Sequence, residues 1–269
     1  MKIYIMTDLE GVSGVVEFED RRDESPRNIA LRQKYSRLLA GEVNAAVEGA
    51  FAGGATEVLV DDSHGGGYTI DVELLDDRVR VLHGRERPRI MAGIDDTFDG
   101  MFIIGAHAMA CTRGAVLYHT MSVDTRQIRL NGRPIGEIGI FAFCAGAFGV
   151  PTLLVTGDAA ACREASALVP RITTLAVKDG LSRYAAIAHS PAKARQMIRE
   201  AAKQAIARRA TVVPLVLDPP YTYQDETFPK DGNCRESNPA KLPANWTTND
   251  EVHADSAREL IARVWGREV

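Results

Sequence analysis

The sequence predicts an α/β protein with a mainly parallel central sheet flanked by helices, followed by a smaller C-terminal extension of irregular and helical character. Two observations carry this prediction. Short apolar segments of β type alternate with segments of helical period along most of the chain, which is typical of βαβ units. The 269 residues are 45% hydrophobic and 25% charged, an ordinary globular composition with enough apolar side chains for a sizeable core.

In the first half of the chain, strands and helices alternate. Residues 2–7 are an apolar strand, and residues 28–52 have the helical period and end at Gly53-Gly54, a common helix stop. Short runs rich in β-branched and other apolar residues predict three further strands: 57–61, 78–82 and 100–105.

The second half of the chain continues the alternation. Residues 127–135 contain Asn131-Gly132, a strong signal for a β-hairpin. Residues 137–148 are an almost wholly apolar helix, which we expect to be buried, and residues 151–156 are a continuous apolar strand of the kind found in mid-sheet. Further helices follow suitable capping residues or close the chain: 158–168, 190–209 and 255–265.

The segment 218–250 differs from the rest of the chain because it holds five prolines, many polar residues and few aliphatic ones. Such a long irregular segment is usually a functional loop, an interface arm or a disordered stretch. We therefore divide the chain into an α/β domain of residues 1–217 and an extension of residues 218–269. The extension is expected to be a long loop and a short helix, packed on the main domain or on a neighbouring subunit.

Charge and composition argue against several partners and locations. The net charge of −4 disfavours a nucleic-acid or anionic-membrane partner, and the arginines of segment 85–89 are interpreted as solvated surface. The apolar run 3–6 is far too short for a signal-peptide core, and no stretch approaches the roughly 20 apolar residues of a membrane span. Four scattered cysteines indicate reduced thiols in a cytoplasmic protein: Cys111, Cys144, Cys162 and Cys234.

Asp8 and Glu10 are the most informative residues of the chain. They end the first strand one residue apart, and positions i and i+2 of an extended backbone point to the same face. Open α/β sheets bind ligands at this carboxyl edge. Two carboxylates aimed at one point repel each other unless a positive charge lies between them, and a divalent metal ion supplies it. Taken alone, the pair could also be a solvated acidic turn.

Three further residues converge on the same edge if the sheet is parallel. His64 follows the second strand, His107 follows the strand 100–105, and Glu137 begins the buried helix. Carboxylates with imidazoles suit Zn²⁺, Mn²⁺ or Co²⁺. Five ligands are more than one catalytic zinc takes from a protein, but they suit two metals about 3.5–4 Å apart that share a carboxylate.

Each of these residues also has a simpler interpretation. His64 could be a turn histidine, His107 a hydrogen-bonded core histidine, and Glu137 a first-turn acid favoured by the helix dipole. Asp61 or Asp62 is expected to orient His64 from behind.

His119 remains without a place among the ligands. It follows a turn that begins soon after His107, so it could reach the same neighbourhood. A histidine beside the metals could protonate a leaving amine or stabilise an oxyanion. A buried structural histidine is the alternative. We assign no chemistry to the remaining histidines: His83, His189 and His253.

Taken together, these residues resemble the D-aminopeptidase family of dinuclear zinc peptidases. The matching stretches span residues 1 to about 210 in the family's order. They are Asp8-Leu9-Glu10-Gly11-Val12-Ser13-Gly14, Glu57-Val58-Leu59-Val60-Asp61-Asp62-Ser63-His64, Gly105-Ala106-His107-Ala108, His119-Thr120-Met121, Asn131-Gly132-Arg133-Pro134-Ile135-Gly136-Glu137-Ile138-Gly139 and Pro151-Thr152-Leu153-Leu154-Val155-Thr156-Gly157-Asp158.

The resemblance implies two zinc ions per chain, bridged by Asp8, with His119 as the catalytic histidine. The implied sets are Glu10 with His107 for one ion, and His64 with Glu137 for the other. The resemblance also implies hydrolysis of short peptides with an N-terminal D-amino acid, and a homodecamer whose active sites face an inner chamber. Mn²⁺ or Co²⁺ could replace zinc.

Two departures from the family pattern bear on these expectations. The family usually has a serine two residues before the first aspartate, where this chain has Met6, so metal affinity or preference could differ. Segment 218–250 also does not resemble the β-rich tail expected of the family, which leaves stereospecificity and assembly geometry open.

Two other function classes stay open. The first is another dinuclear hydrolase, either a phosphoesterase or an L-peptide amidase. The absence of an obvious lysine or arginine cluster near the motif residues counts mildly against the phosphoesterase. The second is a non-catalytic, metal-stabilised assembly protein.

Overall fold

The computed structural model describes residues 1–229 and 245–266, and Cys234 and the middle of the segment 218–250 lie outside these residues. A seven-stranded sheet forms its centre, in the order β3-β2-β1-β4-β7-β8-β9. Its strands are β1 (Lys2–Thr7), β2 (Glu57–Asp61), β3 (Arg80–Leu82), β4 (Gly100–Ala106), β7 (Thr152–Asp158), β8 (Thr173–Ser182) and β9 (Ala185–Ala188). All neighbours pair in parallel except β8 and β9, which are antiparallel. The predicted mainly parallel sheet is confirmed.

Four helices cover or flank this sheet: α1 (Pro26–Ala52), α2 (Glu137–Gly146), α3 (Ala159–Leu168) and α4 (Pro191–Ala207). Ser25, Asp158 and Ser190 cap α1, α3 and α4, because each side chain accepts a hydrogen bond from a backbone N–H of the first turn. Every residue of α2 except Glu137 is buried, as its apolar sequence predicts. Among the described residues, no helix combines the length and apolar character needed to cross a membrane.

A second, antiparallel sheet stands beside the first. It contains the predicted hairpin, β5 (Thr125–Leu130) and β6 (Arg133–Ile135), and three strands of the C-terminal part: β10 (Tyr221–Thr227), β11 (Thr247–Thr248) and β12 (Val252–Ala254). The helix α5 (Ala257–Trp265) closes the described chain. The smaller C-terminal extension is confirmed, but its described part is less irregular than the prolines suggested. The division of the chain at residue 217 stays a prediction.

The strand β10 explains this difference. It pairs with β5 along its length, from Tyr223 beside Leu130 to Thr227 beside Thr125. Its partner lies about 95 residues earlier in the chain, so backbone pairing with β5 stabilises a strand that local composition does not favour. The sequence prediction also omitted β8 and β9, which continue the main sheet beyond β7.

The strand order determines where the predicted site residues lie. β1 lies between β2 and β4, and all three strands run in parallel. The residues that follow them therefore emerge at one carboxyl edge, with the β1 residues in the middle.

Candidate metal centre

The loop after β1 carries Asp8 and Glu10, whose side chains are both buried. The loop turns across the end of β4: the Asp8 N–H donates to the Ile104 carbonyl at 2.8 Å, and the Gly11 N–H donates to the Gly105 carbonyl at 2.7 Å. A Cβ on Gly11 would overlap the carbonyl oxygen of Ala106. Glycine therefore permits the close approach that holds both carboxylates against the sheet edge.

His64 faces Glu10 from the neighbouring strand end. Its Nε2 lies 3.3 Å from Glu10 Oε1, and its Nδ1 lies 2.9 Å from the Thr69 hydroxyl. That hydroxyl donates to the His64 carbonyl at 3.1 Å, so it accepts from Nδ1–H and leaves the Nε2 lone pair directed towards Glu10. A histidine ligand held in this tautomer is suited to bind a metal through Nε2.

The support behind His64 differs from the expectation. Neither Asp61 nor Asp62 contacts the imidazole among the described hydrogen bonds. Asp62 accepts from the Thr69 N–H at 3.0 Å, so it acts through the residue that contacts His64, whereas Asp61 binds Arg87 and the Tyr4 hydroxyl. Thr69 was missed because a threonine five residues beyond a histidine gives no signal in the sequence.

His107 and Glu137 lie on the other side of Asp8. His107 Nε2 is 3.2 Å from Glu137 Oε1 and 3.4 Å from Asp8 Oδ2. Its Nδ1–H donates to the Ala108 carbonyl at 2.9 Å, which leaves the Nε2 lone pair facing the two carboxylates. Glu137 also accepts from the Met121 N–H at 2.7 Å, so its carboxylate is fixed from behind.

His119 completes this side of the cluster. Its ring stacks on His107 with centroids 4.0 Å apart and 15° between the planes, and its Nε2 is 3.7 Å from Glu137 Oε1. Its Nδ1 lies 3.0 Å from the Leu117 carbonyl, to which it donates. All six predicted site residues are therefore brought together at the sheet edge.

The grouping of these residues differs from the expected metal sets. Ligand atoms lying within 4.8 Å of one another form two groups: Asp8, Glu10 and His64 in the first, and His107, His119 and Glu137 in the second. Glu10 thus faces His64 rather than His107. The strand order is the reason, since β2 and β4 flank β1 on opposite sides.

The electrostatics of the cluster reflect three carboxylates in a buried space. Burial and the adjacent Glu10 raise the pKa of Asp8 well above its ordinary value. Burial opposes the charge of both His64 and His107, but Glu10 raises the pKa of His64 to about 9, and Asp8 with Glu137 raises that of His107 well above its usual range. The carboxylates therefore favour a positive charge beside them, which an imidazole proton or a cation can supply.

These features fit divalent metal ions. Glu10 Oε2 and His107 Nε2 are buried without a hydrogen-bond partner, although most buried polar atoms have one. A lone pair directed at two carboxylates is repulsive unless a proton or a cation lies between them. Carboxylate oxygens and imidazole nitrogens are the donors that zinc and similar ions prefer.

A cavity of about 710 Å³ opens onto the cluster. Asp8, His64, His119 and Glu137 line one part of it, together with Met6. Segment 85–89 lines another part, so its arginines are not simply solvated surface as the sequence suggested. Arg87 and Arg89 are held in place because protein acceptors are available for them.

The three arginines of this segment are not equally free. Arg87 binds Asp61 and three backbone carbonyls, and Arg89 donates to the carbonyls of residues 90, 91 and 94. Arg85 is exposed and, among the described residues, its guanidinium contacts the Tyr68 ring at 5.6 Å. Arg85 is therefore the member that has donors available to a bound anion.

A parallel α/β sheet whose edge presents converging carboxylates and imidazoles to an open cavity defines a metal-dependent hydrolase. Residues 1–230 match the family model described as D-aminopeptidase (peptidase M55), and the chain belongs to this family.

Two relatives show how close the similarity is. The chain is 39% identical over 216 residues to a D-aminopeptidase of Bacillus subtilis (strain 168), covering 80% of this chain and 77% of that protein. It also resembles the solved structure of DppA from Bacillus subtilis, described as a Zn-dependent D-aminopeptidase and a self-compartmentalizing protease. That likeness has a TM-score of 0.83 and 31% identity, and it covers 98% of this chain and 97% of the other.

Proposed function

We propose that this protein is a zinc aminopeptidase that hydrolyses short peptides with an N-terminal D-amino acid at a dinuclear centre. The observation that carries the proposal is the pair of ligand groups, three residues each, that meet at Asp8. Membership of the D-aminopeptidase family and the likeness to a Zn-dependent D-aminopeptidase support the metal and the reaction.

The contacts favour one assignment of the ligands. Glu10 and His64 would hold one ion, His107 and Glu137 would hold the other, and Asp8 would bridge them. Asp8 supports this role because it belongs to the first group and its Oδ2 also lies 3.4 Å from His107 Nε2. Two divalent cations would offset the charge of the three carboxylates in this buried space, where unpaired charges are costly.

When bound, the metal ions would supply Lewis acidity, which polarises a scissile carbonyl and makes water acidic enough to react near neutral pH. The protein supplies the remaining functions. The ligands fix the geometry, and the cavity admits a short peptide beside them. Buried backing groups such as Thr69 and the Ala108 carbonyl hold the imidazoles in the tautomers that binding requires.

His119 is the proposed proton carrier. Its Nδ1–H is committed to the Leu117 carbonyl, so the neutral ring has its lone pair on Nε2, which faces the cluster. Burial and the neighbouring His107 lower the pKa of His119, which keeps this lone pair available. Nε2 can therefore accept a proton from attacking water and return it to the leaving amine. The second ligand group also contains His119, so a role as a metal ligand is the alternative.

Three further features belong to the proposal. The chain is expected to form a homodecamer. The self-compartmentalizing relative supports an assembly of subunits but not their number. Residues 218–269 are expected to act as an extension of an α/β domain of residues 1–217. The protein is expected to be cytoplasmic and to have neither nucleic acid nor membrane as a partner.

A phosphoesterase is the second candidate, and Arg85 is the observation that favours it. Arg85 lines the same cavity as Asp8, His64 and Glu137, and its guanidinium could bind a phosphate. The other two arginines are occupied by protein acceptors, which limits the positive charge available.

The test is a paired assay of zinc-loaded protein on D-Ala-p-nitroanilide, L-Ala-p-nitroanilide and bis(p-nitrophenyl) phosphate, each with and without a chelator. We expect chelator-sensitive cleavage of the D-anilide only. Preferred cleavage of the L-anilide would refute the stereospecificity, and preferred cleavage of the phosphodiester would establish the second candidate. Bound zinc without turnover of any substrate would indicate a metal-stabilised assembly protein.

A further inference from the structure

Lys178 is a charged side chain in the interior of the main sheet. It lies on β8, next to Val177 and beside Asp158 of β7, and only 1% of its surface is exposed. A buried ammonium is costly unless it is paired and hydrogen-bonded, so its partners indicate its role. None of the proposed metal chemistry uses this residue.

The partners of Lys178 all belong to the loop that follows β1. Its Nζ donates to the carbonyl oxygens of Glu10 at 2.5 Å, Val12 at 2.9 Å and Val15 at 2.6 Å. An ammonium has three N–H donors, and the three bonds match that number. One side chain therefore donates to three backbone acceptors within six residues of the same loop.

This anchoring is needed because the loop leaves its own strand. It crosses the end of β4 at Gly11 and then reaches the residue that follows β9, because the Ser13 hydroxyl donates to the His189 carbonyl at 2.5 Å. Two strands, β4 and β7, separate β1 from β8 in the sheet. The loop carbonyls therefore have no neighbouring strand to pair with, and a long side chain from β8 reaches them instead.

The surroundings keep Lys178 charged. Burial lowers its pKa to about 8, while Asp158, Glu42, Glu10 and Asp8 oppose that shift. Glu42, one of these acidic residues, also accepts a hydrogen bond from the Ser13 N–H of the loop at 2.8 Å. Donation to three carbonyl oxygens requires the protonated ammonium, and the carboxylates around it favour that form.

We propose that Lys178 is a positioning residue of the metal centre, which fixes the backbone of residues 10–15 and thereby presents the Glu10 carboxylate to the metal ion shared with His64. This inference rests on the proposed function, because Glu10 is a ligand only if the site binds metal. Lys178 binds the backbone carbonyl of Glu10, and the side chain of the same residue carries the ligand carboxylate. A loop released from Lys178 would therefore displace this carboxylate.

The consequence is a specific loss of metal affinity. Removing a residue that supports a ligand typically weakens metal binding 10–100-fold. We expect this loss for one of the two ions, the one held by Glu10 and His64, and a smaller effect on the other. A lysine that only stabilised the core would lower the unfolding temperature without changing the affinity of the folded protein.

The experiment compares the wild type with Lys178→Met and Lys178→Arg. Methionine keeps the length of the side chain but removes all donors. Arginine keeps the charge, but its planar guanidinium does not direct three N–H groups to three converging carbonyls as an ammonium does. Ile198→Ala serves as the control, because Ile198 is fully buried on α4, is neither a proposed ligand nor a hydrogen-bond partner of Lys178, and its truncation destabilises the core.

Zinc affinity is measured by competition with a chromogenic chelator, and coordination by the visible spectrum of the Co²⁺-loaded proteins, with thermal unfolding recorded for each metal-free variant. We expect Lys178→Met to bind one ion 10–100-fold more weakly with an altered Co²⁺ spectrum, and its kcat to recover towards the wild-type value as zinc is raised. Lys178→Arg, the variant more certain to fold, should show the same defect in milder form. Ile198→Ala should melt earlier with unchanged affinity and spectrum.

Unchanged zinc affinity and an unchanged Co²⁺ spectrum in the folded lysine variants would overturn the positioning role. Wild-type behaviour of Lys178→Arg beside a defective Lys178→Met would also overturn it, because charge rather than the three bonds would then be decisive. A wild type that binds no zinc or cobalt would refute the proposed function instead, so the two failures are distinguishable.

Discussion

Replacing His119 by alanine separates its two possible roles. The structure gives its Nε2 a position 3.7 Å from Glu137 Oε1, with the ring stacked on His107 and the Nδ1 committed to a backbone carbonyl. As a proton carrier, the ring would contribute about 10²–10⁴-fold to turnover, or about 3–5 kcal/mol of barrier. The five proposed ligand residues remain in place, so the variant should bind its metals with the wild-type stoichiometry.

The assay measures kcat on D-Ala-p-nitroanilide and metal content per chain by elemental analysis. The matched control is His253→Ala, because His253 lies exposed on β12 beside Glu251. We expect the control to keep the wild-type rate, and His119→Ala to lose rate but not metal. A near-normal rate would refute the proton-transfer role. Loss of one metal ion per chain would instead make His119 a ligand.

Three further predictions concern the loop and its charges. Asp8→Asn should abolish turnover and reduce the amount of bound metal. It should also raise the unfolding temperature of the metal-free protein, because it removes one of three mutually repelling carboxylates. An unchanged zinc content would exclude the bridging role. Gly105→Ala should cost roughly 2–4 kcal/mol of stability in urea unfolding, because Gly105 has φ +82° and its added Cβ would overlap the Asp8 carbonyl. The control Gly114→Ala should cost only about 1–2 kcal/mol, because Gly114 has φ +73° but open space around the added Cβ. Burial raises the pKa of Glu42 to about 7, so the folded protein binds this proton more tightly than the unfolded chain does. The contribution of Glu42 to stability should therefore fall by up to roughly 3 kcal/mol from below pH 5 to above pH 7. Glu42→Gln should reduce the slope of stability against pH by this contribution, measured in unfolding titrations at these pH values.

The fold could be predicted wherever local pattern carries the information. Apolar runs, capping residues and the Asn-Gly turn identify the strands and helices up to Leu168 with small differences in their ends. The prediction failed where a strand depends on a distant partner. β10 is the clearest case, because its proline-rich neighbourhood disfavours a strand and pairing with β5, far away in the sequence, stabilises it. β8 contains Lys178, whose charge interrupts the apolar run that would otherwise signal a buried strand.

The sequence by itself determined which residues meet at the site. Asp8, Glu10, His64 and His107 follow strands, and the carboxyl ends of parallel strands share one edge, so spacing and residue type were sufficient to bring them together. Only the tertiary structure decided which of them face each other. Strand order is a non-local property, and with β1 between β2 and β4 it turns Glu10 towards His64 and Asp8 towards His107. For the same reason only the tertiary structure revealed Lys178, since its contacts with the β1 loop join residues more than 160 positions apart.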